Sequence, residues 1–342
     1  MLAARRAQGG TSAVAGMTPD EQHGTRQYRM ILITNAGRNP VPRPLTTLAA
    51  ALALTASTVT LTACTPNSSE PHGIQVATAV YPLEFVAESI VGDAGTVISL
   101  VDPAVEPHDV ELSPAAVRRL GGADLVLTIG GFQPAVDAAV VSTGATTLDA
   151  TAVLPLHADA HNDAHNDAET THAIDPHFWL DPTLLATYAQ AVGDALAAAD
   201  PAHAAQFQAN TATLIAHLTA TDAALTEGLA TCARHDIVVS HEAFGYLARR
   251  YGLTQLAIAG LDPDTEPSPA RLLQVRDAIL ATGATTVFAE SSATVSAINA
   301  LAADAGVQTA ILSPVETAPD GGDYLTAMDS NLQTLRSALS CE

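Results

Sequence analysis

Residues 202–231 read AHAAQFQANTATLIAHLTATDAALTEGLAT, with Phe207, Leu214, Leu218, Leu225 and Leu229 on one apolar stripe at helical spacing. No Gly or Pro interrupts this run before Gly228. At about 1.5 Å per residue the helix it predicts is a rod of roughly 45 Å, too long for an ordinary crossover between neighbouring strands. It reads as a spacer between two lobes. Asp200-Pro201 in front of it ends one helix, which runs from Pro182 to about Ala199, and starts the next.

Strand and helix signals alternate on both sides of the rod. Before it come a period-two strand at Ile74 to Val80, a helix opened by Pro82 and ended near Gly92, and a strand at Thr96 to Val101. Ser113-Pro114 then forms an N-cap and first turn, followed by a strand at Asp124 to Ile129. Beyond it come strand Ile237 to Ser240, a helix to Tyr251 with Gly252 after it, strand Gln255 to Ala259, and a helix from Ser268-Pro269 to Ala281. Strand Thr286 to Ala289, helix Thr294 to Asp304, strand Gln308 to Leu312 and a last helix from Tyr324 complete the series. Such alternation predicts an α/β fold: two α/β lobes with mainly parallel sheets, joined by a single long linking helix. The expected boundaries are residues 74–200 for the N-terminal lobe, 201–232 for the linking helix and 233–342 for the C-terminal lobe.

Composition narrows the class of partner. The 342 residues carry a formal charge of −22, and all 14 basic residues are Arg. A track for nucleic-acid phosphates is therefore excluded, and cations are the natural small partners. Arg38 and Arg43 precede an apolar run from Pro44 to Cys64, which has the n-region and h-region of a secretion signal. Leu61-Thr62-Ala63-Cys64 resembles a lipobox, in which Cys64 is lipidated and becomes the new N-terminus. Residues 1–63 are then a signal peptide, with 1–29 a mis-called start before Met30, and residues 64–73 a lipidated tether. From Cys64 onward 34 acidic residues and 8 Arg remain, a charge of −26. Export leaves Cys232 and Cys341 to pair with each other or to remain two buried thiols.

Four short segments each hold a candidate metal ligand, and each follows a strand or a strand-ending loop. They are Glu106-Pro107-His108-Asp109, Asp175-Pro176-His177-Phe178-Trp179, Ser240-His241-Glu242-Ala243-Phe244 and Gly321-Gly322-Asp323-Tyr324. Ligands of open α/β sheets bind at the carboxyl ends of the strands, so the four can converge in an interlobe cleft. Three imidazoles and one carboxylate at tetrahedral spacing suit Zn²⁺, whereas Mn²⁺ prefers more oxygen donors. Glu106, Glu242 and Glu290 lie where they could orient a ligand imidazole through its second nitrogen, and Asp175 and Asp181 flank His177 as turn and helix-start residues.

The stretches from Val105 to Pro114, Asp175 to Pro182 and Ser240 to Tyr246 together resemble the zinc and manganese receptors of ABC importers, the helix-linked metal-binding lipoproteins. The likeness runs over roughly residues 74 to 340. It implies that His108, His177 and His241 match the family's three imidazole positions and that Asp323 matches its carboxylate position. Manganese members carry a carboxylate where this chain has His241, so the resemblance leans towards zinc. Zinc members often carry an acidic, His-rich loop, and residues 157–172 here interleave His157, His161, His165 and His172 with Asp159, Asp163, Asp167 and Glu169. Imidazoles beside carboxylates would hold Zn²⁺ weakly and raise its local concentration.

The resemblance implies a monomeric, non-catalytic receptor on the outer face of the cytoplasmic membrane, anchored through lipid on Cys64. Zn²⁺ would be its transported ligand and an ABC permease membrane subunit its partner. A manganese or iron(II) receptor is the alternative within the class. A secreted zinc hydrolase is the alternative outside it, disfavoured because no His-Glu-x-x-His spacing is present. Cell adhesion is a role attached to some relatives.

Overall fold

The structure, a computed structural model, describes residues 73–102, 105–156, 174–263, 267–291 and 295–342. The signal segment, Cys64, residues 64–72 and the His-rich segment with His157, His161, His165 and His172 lie outside the described residues.

The described residues open with strand β1 (Ile74–Thr78), helix α1 (Tyr81–Val91), β2 (Gly95–Ser99), α2 (Pro114–Gly122) and β3 (Leu125–Thr128). It continues with α3 (Pro134–Thr143), β4 (Thr147–Asp149) and the single turn α4 (Ala150–Val153). A 3-10 turn at Phe178–Leu180 leads into α5 (Pro182–Ala199) and the long α6 (Ala204–Leu229). The second half holds β5 (Asp236–Val239), α7 (Gly245–Tyr251), β6 (Thr254–Ala257), α8 (Pro269–Thr282) and β7 (Thr286–Ala289). It ends with α9 (Val295–Ala305), β8 (Gln308–Ile311) and α10 (Tyr324–Leu339). Among the described residues no helix is long and apolar enough to cross a membrane.

Each half builds a four-stranded, all-parallel sheet, in the order β2-β1-β3-β4 and β6-β5-β7-β8. The two orders are the same pattern. In each, the chain steps to one side of its first strand and then crosses to the other, which opens a crevice at the carboxyl ends.

Strand residues are apolar on both faces because both faces are covered. Val76, Leu125, Leu127, Ile237, Val239 and Phe288 face one continuous core shared by the two sheets. That core also takes in α1, α5, α6, α7 and α10. The alternate residues face outward cores: Ala77 and Val126 in one sheet, Val238, Val287 and Ala289 in the other. The lobes are thus joined by packed apolar surface as well as by α6.

At 26 residues, α6 spans about 39 Å, shorter at each end than the expected 202–231. Asp200 takes the missing turn, accepting from the Ala202 amide at 3.1 Å and bonding His203 Nδ1 at 2.6 Å. Between Ile129 and Asp149, where the pattern predicts no element, the structure has α3 and β4.

Helix starts follow their capping residues. Ser113, Asp181 and Ser268 each accept a backbone amide of the first turn, with Pro following directly. Cys232, just past α6, and Cys341, just past α10, are joined by a disulfide, closing a ring of sequence separation 109 around the second sheet.

Candidate metal centre

His108 lies in the loop after β2, and Gln133 fastens this loop by donating from Nε2 to the Pro107 and Ala79 carbonyls at 2.9 and 3.1 Å. His177 is the residue before the 3-10 turn Phe178–Leu180. His241 follows β5 with only Ser240 between, and Glu316 lies in the segment between β8 and α10. One ligand atom from each of these four residues lies within 4.8 Å of all the others. His177, His241 and Glu316 are buried and His108 is partly exposed.

The three imidazole Nε2 atoms converge on one oxygen. Glu316 Oε1 is 2.7 Å from His177, 3.3 Å from His241 and 3.5 Å from His108. Donors about 2.0–2.1 Å from a tetrahedral zinc ion stand about 3.4 Å apart, so two of the three separations already match a coordination tetrahedron. The His177 contact is a hydrogen-bond length, as expected where a shared proton holds the donors together.

Both fully buried imidazoles are held from behind. His177 Nδ1 bonds Asp175 Oδ1 at 2.8 Å, and the same oxygen accepts the His177 amide at 3.0 Å. His241 Nδ1 bonds Glu290, whose carboxylate also accepts from the Ser240 hydroxyl. Fixing Nδ1 in this way leaves Nε2 aimed into the site. The Asp175 side chain is fully buried, so its placement is that of an orienting partner as well as a turn residue.

The charges are strongly coupled. Burial alone would push the Glu316 carboxyl up, but hydrogen bonds from His108 and His177 and the nearby His241 ring hold it well below the ordinary carboxylate range. Burial opposes the charged form of His177, yet Asp175 and Glu316 outweigh it and push this imidazole up to about 8. His241 is also opposed by burial and is pushed up to about 10 by Glu290 and Glu316. Glu106, half-buried beside Glu316, is pushed up to about 7, first by burial and then by that neighbouring charge. The cluster is therefore a carboxylate wrapped by three imidazoles, two of which, His177 and His241, favour the protonated form, and a cation can take the place of those protons.

Asp323 does not join this group. Its carboxylate caps α10, accepting from the Thr326 amide and hydroxyl at 2.9 Å each, and it borders a hollow shared with Phe85, His217 and Leu325. The carboxylate brought to the three imidazoles is Glu316 instead. A signal for it exists in the sequence: Ser313-Pro314-Val315-Glu316 follows β8 as Ser240-His241 follows β5, and the strand-end rule applies equally to both. Of the three glutamates expected to orient ligands, Glu290 does so. Glu106 accepts weakly from the His108 amide at 3.5 Å, and Glu242 is buried next to His241 without joining the cluster.

Two parallel α/β lobes with three imidazoles and a carboxylate converging between them define a protein able to enclose one small divalent cation. Comparison with known proteins names the family. Residues 76–338 match ZnuA, the zinc-uptake complex component A, periplasmic, and the chain belongs to that family. It is 30% identical over 295 residues to the zinc-binding lipoprotein AdcA of Streptococcus pneumoniae serotype 4, covering 82% of this chain and 59% of AdcA. It is also 30% identical over 290 residues to the high-affinity zinc uptake system protein ZnuA of Bacillus subtilis, covering 80% of this chain and 91% of that one. The chain thus spans about three fifths of the length of the AdcA relative.

Among solved structures, Zn(II)-bound AdcA from S. pneumoniae superposes with a TM-score of 0.68 at 30% identity, over 79% of this chain and 58% of that one. The laminin-binding protein Lmb of Streptococcus agalactiae, titled a bifunctional protein with adhesin and metal transporting activity, gives a TM-score of 0.70 at 27% identity. That match covers 78% of this chain and all of Lmb.

Proposed function

We propose that this chain is an extracytoplasmic receptor that captures Zn²⁺ and delivers it to an ABC-type permease, with His108, His177, His241 and Glu316 as the four ligands. The observation that carries this reading is the convergence of three Nε2 atoms on one carboxylate oxygen inside a buried site. Three nitrogens and one oxygen within 4.8 Å of one another favour zinc over manganese, which seeks more oxygen donors. Membership of a zinc-uptake family supports the same ion.

Four protein donors fill a tetrahedral sphere and leave no position for an activated water, so the arrangement favours holding an ion over hydrolysis. The continuous core between the lobes favours capture by small movements of loops over wide closure. Anchoring through Cys64, a site on the outer face of the cytoplasmic membrane, a monomeric state and weak zinc collection by His157, His161, His165 and His172 complete the proposal. The lipobox supports the anchor and the location, and the acidic, His-rich composition supports the collection of zinc.

Elemental analysis of the purified protein, with zinc and manganese in competition, tests the reading. One equivalent of tightly held zinc in the native chain, strongly reduced in Glu316→Gln and retained in Asp323→Asn, is the expected result. Equal retention in both variants overturns the assignment of Glu316.

A further inference from the structure

Glu316 ends a short turn that is conformationally unfavourable by itself. Val315 has a φ of 57°, a left-handed conformation that β-branched residues rarely adopt, and it is buried at 1% exposure, so its side chain is also fixed. A turn of this kind persists only where its surroundings over-determine it.

The surroundings here do so at every residue from 313 to 316. Asn331, buried on α10, clamps Ser313 from both sides: Oδ1 accepts the Ser313 amide at 2.9 Å and Nδ2 donates to its carbonyl at 2.7 Å. The Val315 amide donates to Ser313 Oγ at 3.1 Å. The Trp179 indole Nε1 donates to the Pro314 carbonyl at 2.8 Å. The Tyr81 amide donates to the Glu316 carbonyl at 3.3 Å. Asn331 belongs to the second half of the chain, but Trp179 and Tyr81 come from the first. Trp179 is itself tied back, because the Tyr324 hydroxyl donates to its carbonyl.

We propose that Trp179 and Asn331 are positioning residues that clamp the Ser313–Glu316 turn across the two halves of the molecule, and that this clamp sets the preference for a four-coordinate ion. The proposal rests on the reading of Glu316 as a metal ligand. The physical logic is a matter of adaptability. An ion such as Mn²⁺ needs six mainly oxygen donors, and a carboxylate free to shift or turn bidentate, with room for water, accommodates it better. A carboxylate whose backbone is pinned on both sides cannot make that adjustment, whereas Zn²⁺ requires none.

Two variants probe the clamp without replacing a ligand; the Trp179 ring also packs edge-on to His177 at 5.2 Å, so Asn331→Asp is the variant that leaves that imidazole contact alone. Trp179→Phe removes the indole donor and keeps an aromatic ring, and Asn331→Asp keeps the acceptor for the Ser313 amide and loses the donor to its carbonyl. Zinc and manganese affinities are measured by competition, and Co²⁺ serves as a visible-absorption probe of coordination number. Circular dichroism establishes that each variant is folded.

Expected is a loss of zinc affinity of about tenfold, the lower end of what outer-shell partners contribute. Manganese affinity should hold, so that the zinc-to-manganese ratio narrows by the same factor, and the tetrahedral Co²⁺ band should weaken. Folded variants with the native ratio and the native Co²⁺ spectrum overturn the clamp while leaving the metal site standing. If the native chain itself shows no tetrahedral Co²⁺ band, the metal reading beneath it falls.

Discussion

His177 and His241 are wholly buried, and each has a carboxylate fixed to its second ring nitrogen. His108 differs on both counts. Its side chain retains 11% exposure, and among the described residues no carboxylate holds its second nitrogen. It rests instead edge-on to the Phe132 ring at 4.8 Å and reaches Glu316 at 3.5 Å. Two imidazoles are thus built into the framework before any ion arrives, and the third closes the site from the solvent side. Preorganisation is concentrated where burial makes an unpaired polar nitrogen most costly.

Removal of a framework ligand should test this contrast most severely. His177→Ala and His241→Ala are expected to lose zinc affinity by more than the roughly 100-fold that an outer-shell partner can account for, with His108→Ala losing less. Calorimetric titration with zinc measures all three, and an equal loss at His108 would erase the distinction. Next in size, Asp175→Asn and Glu290→Gln should each weaken zinc binding by about 10- to 100-fold while leaving the four donors in place.

The two framework imidazoles should also dominate the pH dependence. His177 and His241 are raised to about 8 and about 10, so both carry protons at pH 7 that zinc must displace. Zinc affinity should therefore fall as pH drops from about 10 towards 7, well above the window near pH 6 expected for free imidazoles. Calorimetry in buffers of different ionisation enthalpy should show about one to two protons released per zinc at pH 7. Because folding raises both pKa values, the metal-free protein gains stability from these two groups below about pH 6.5. It loses that gain as pH rises through about 8 and then about 10. Zinc should consequently stabilise the fold more at pH 9 than at pH 6.5, and a thermal shift that is flat over this range would count against the assignment.

The smallest effect is expected at Asp323. Asp323→Ala should lower stability by about 1 kcal/mol through loss of the α10 cap and leave zinc affinity unchanged.

Much of this architecture is legible in the sequence because it is written in local terms. Strand alternation, Ser-Pro and Asp-Pro starts and Gly252 after α7 all act within a few residues of where they are read, and they place most elements to within a residue or two. Helix α3 and strand β4 carry the same punctuation in Pro134 and Gly144, but β4 is only three residues long and offers too little periodicity to stand out.

The three imidazoles are legible for a further reason, since each sits close to a strand end or a helix start. The fourth donor is harder. Asp323 and Glu316 both follow β8, and what separates them is non-local: Asp323 spends its carboxylate on a helix terminus, whereas Glu316 is carried inward by a turn held from Trp179, Tyr81 and Asn331. Which of the three candidate glutamates orients an imidazole is likewise decided by packing, since Glu290 reaches His241 from 49 residues away, whereas the Asp175 contact with His177 is local.

The bond between Cys232 and Cys341 has a consequence for damage. Everything from β5 to α10 lies on a covalent loop fastened at the end of α6, and this loop carries His241, Glu290 and Glu316, whereas His108 and His177 lie outside it. A single proteolytic cut between residues 233 and 340 would leave both fragments attached to the rest of the chain. A single cut between His108 and His177 would leave those two residues on separate pieces, with only non-covalent packing to keep them together.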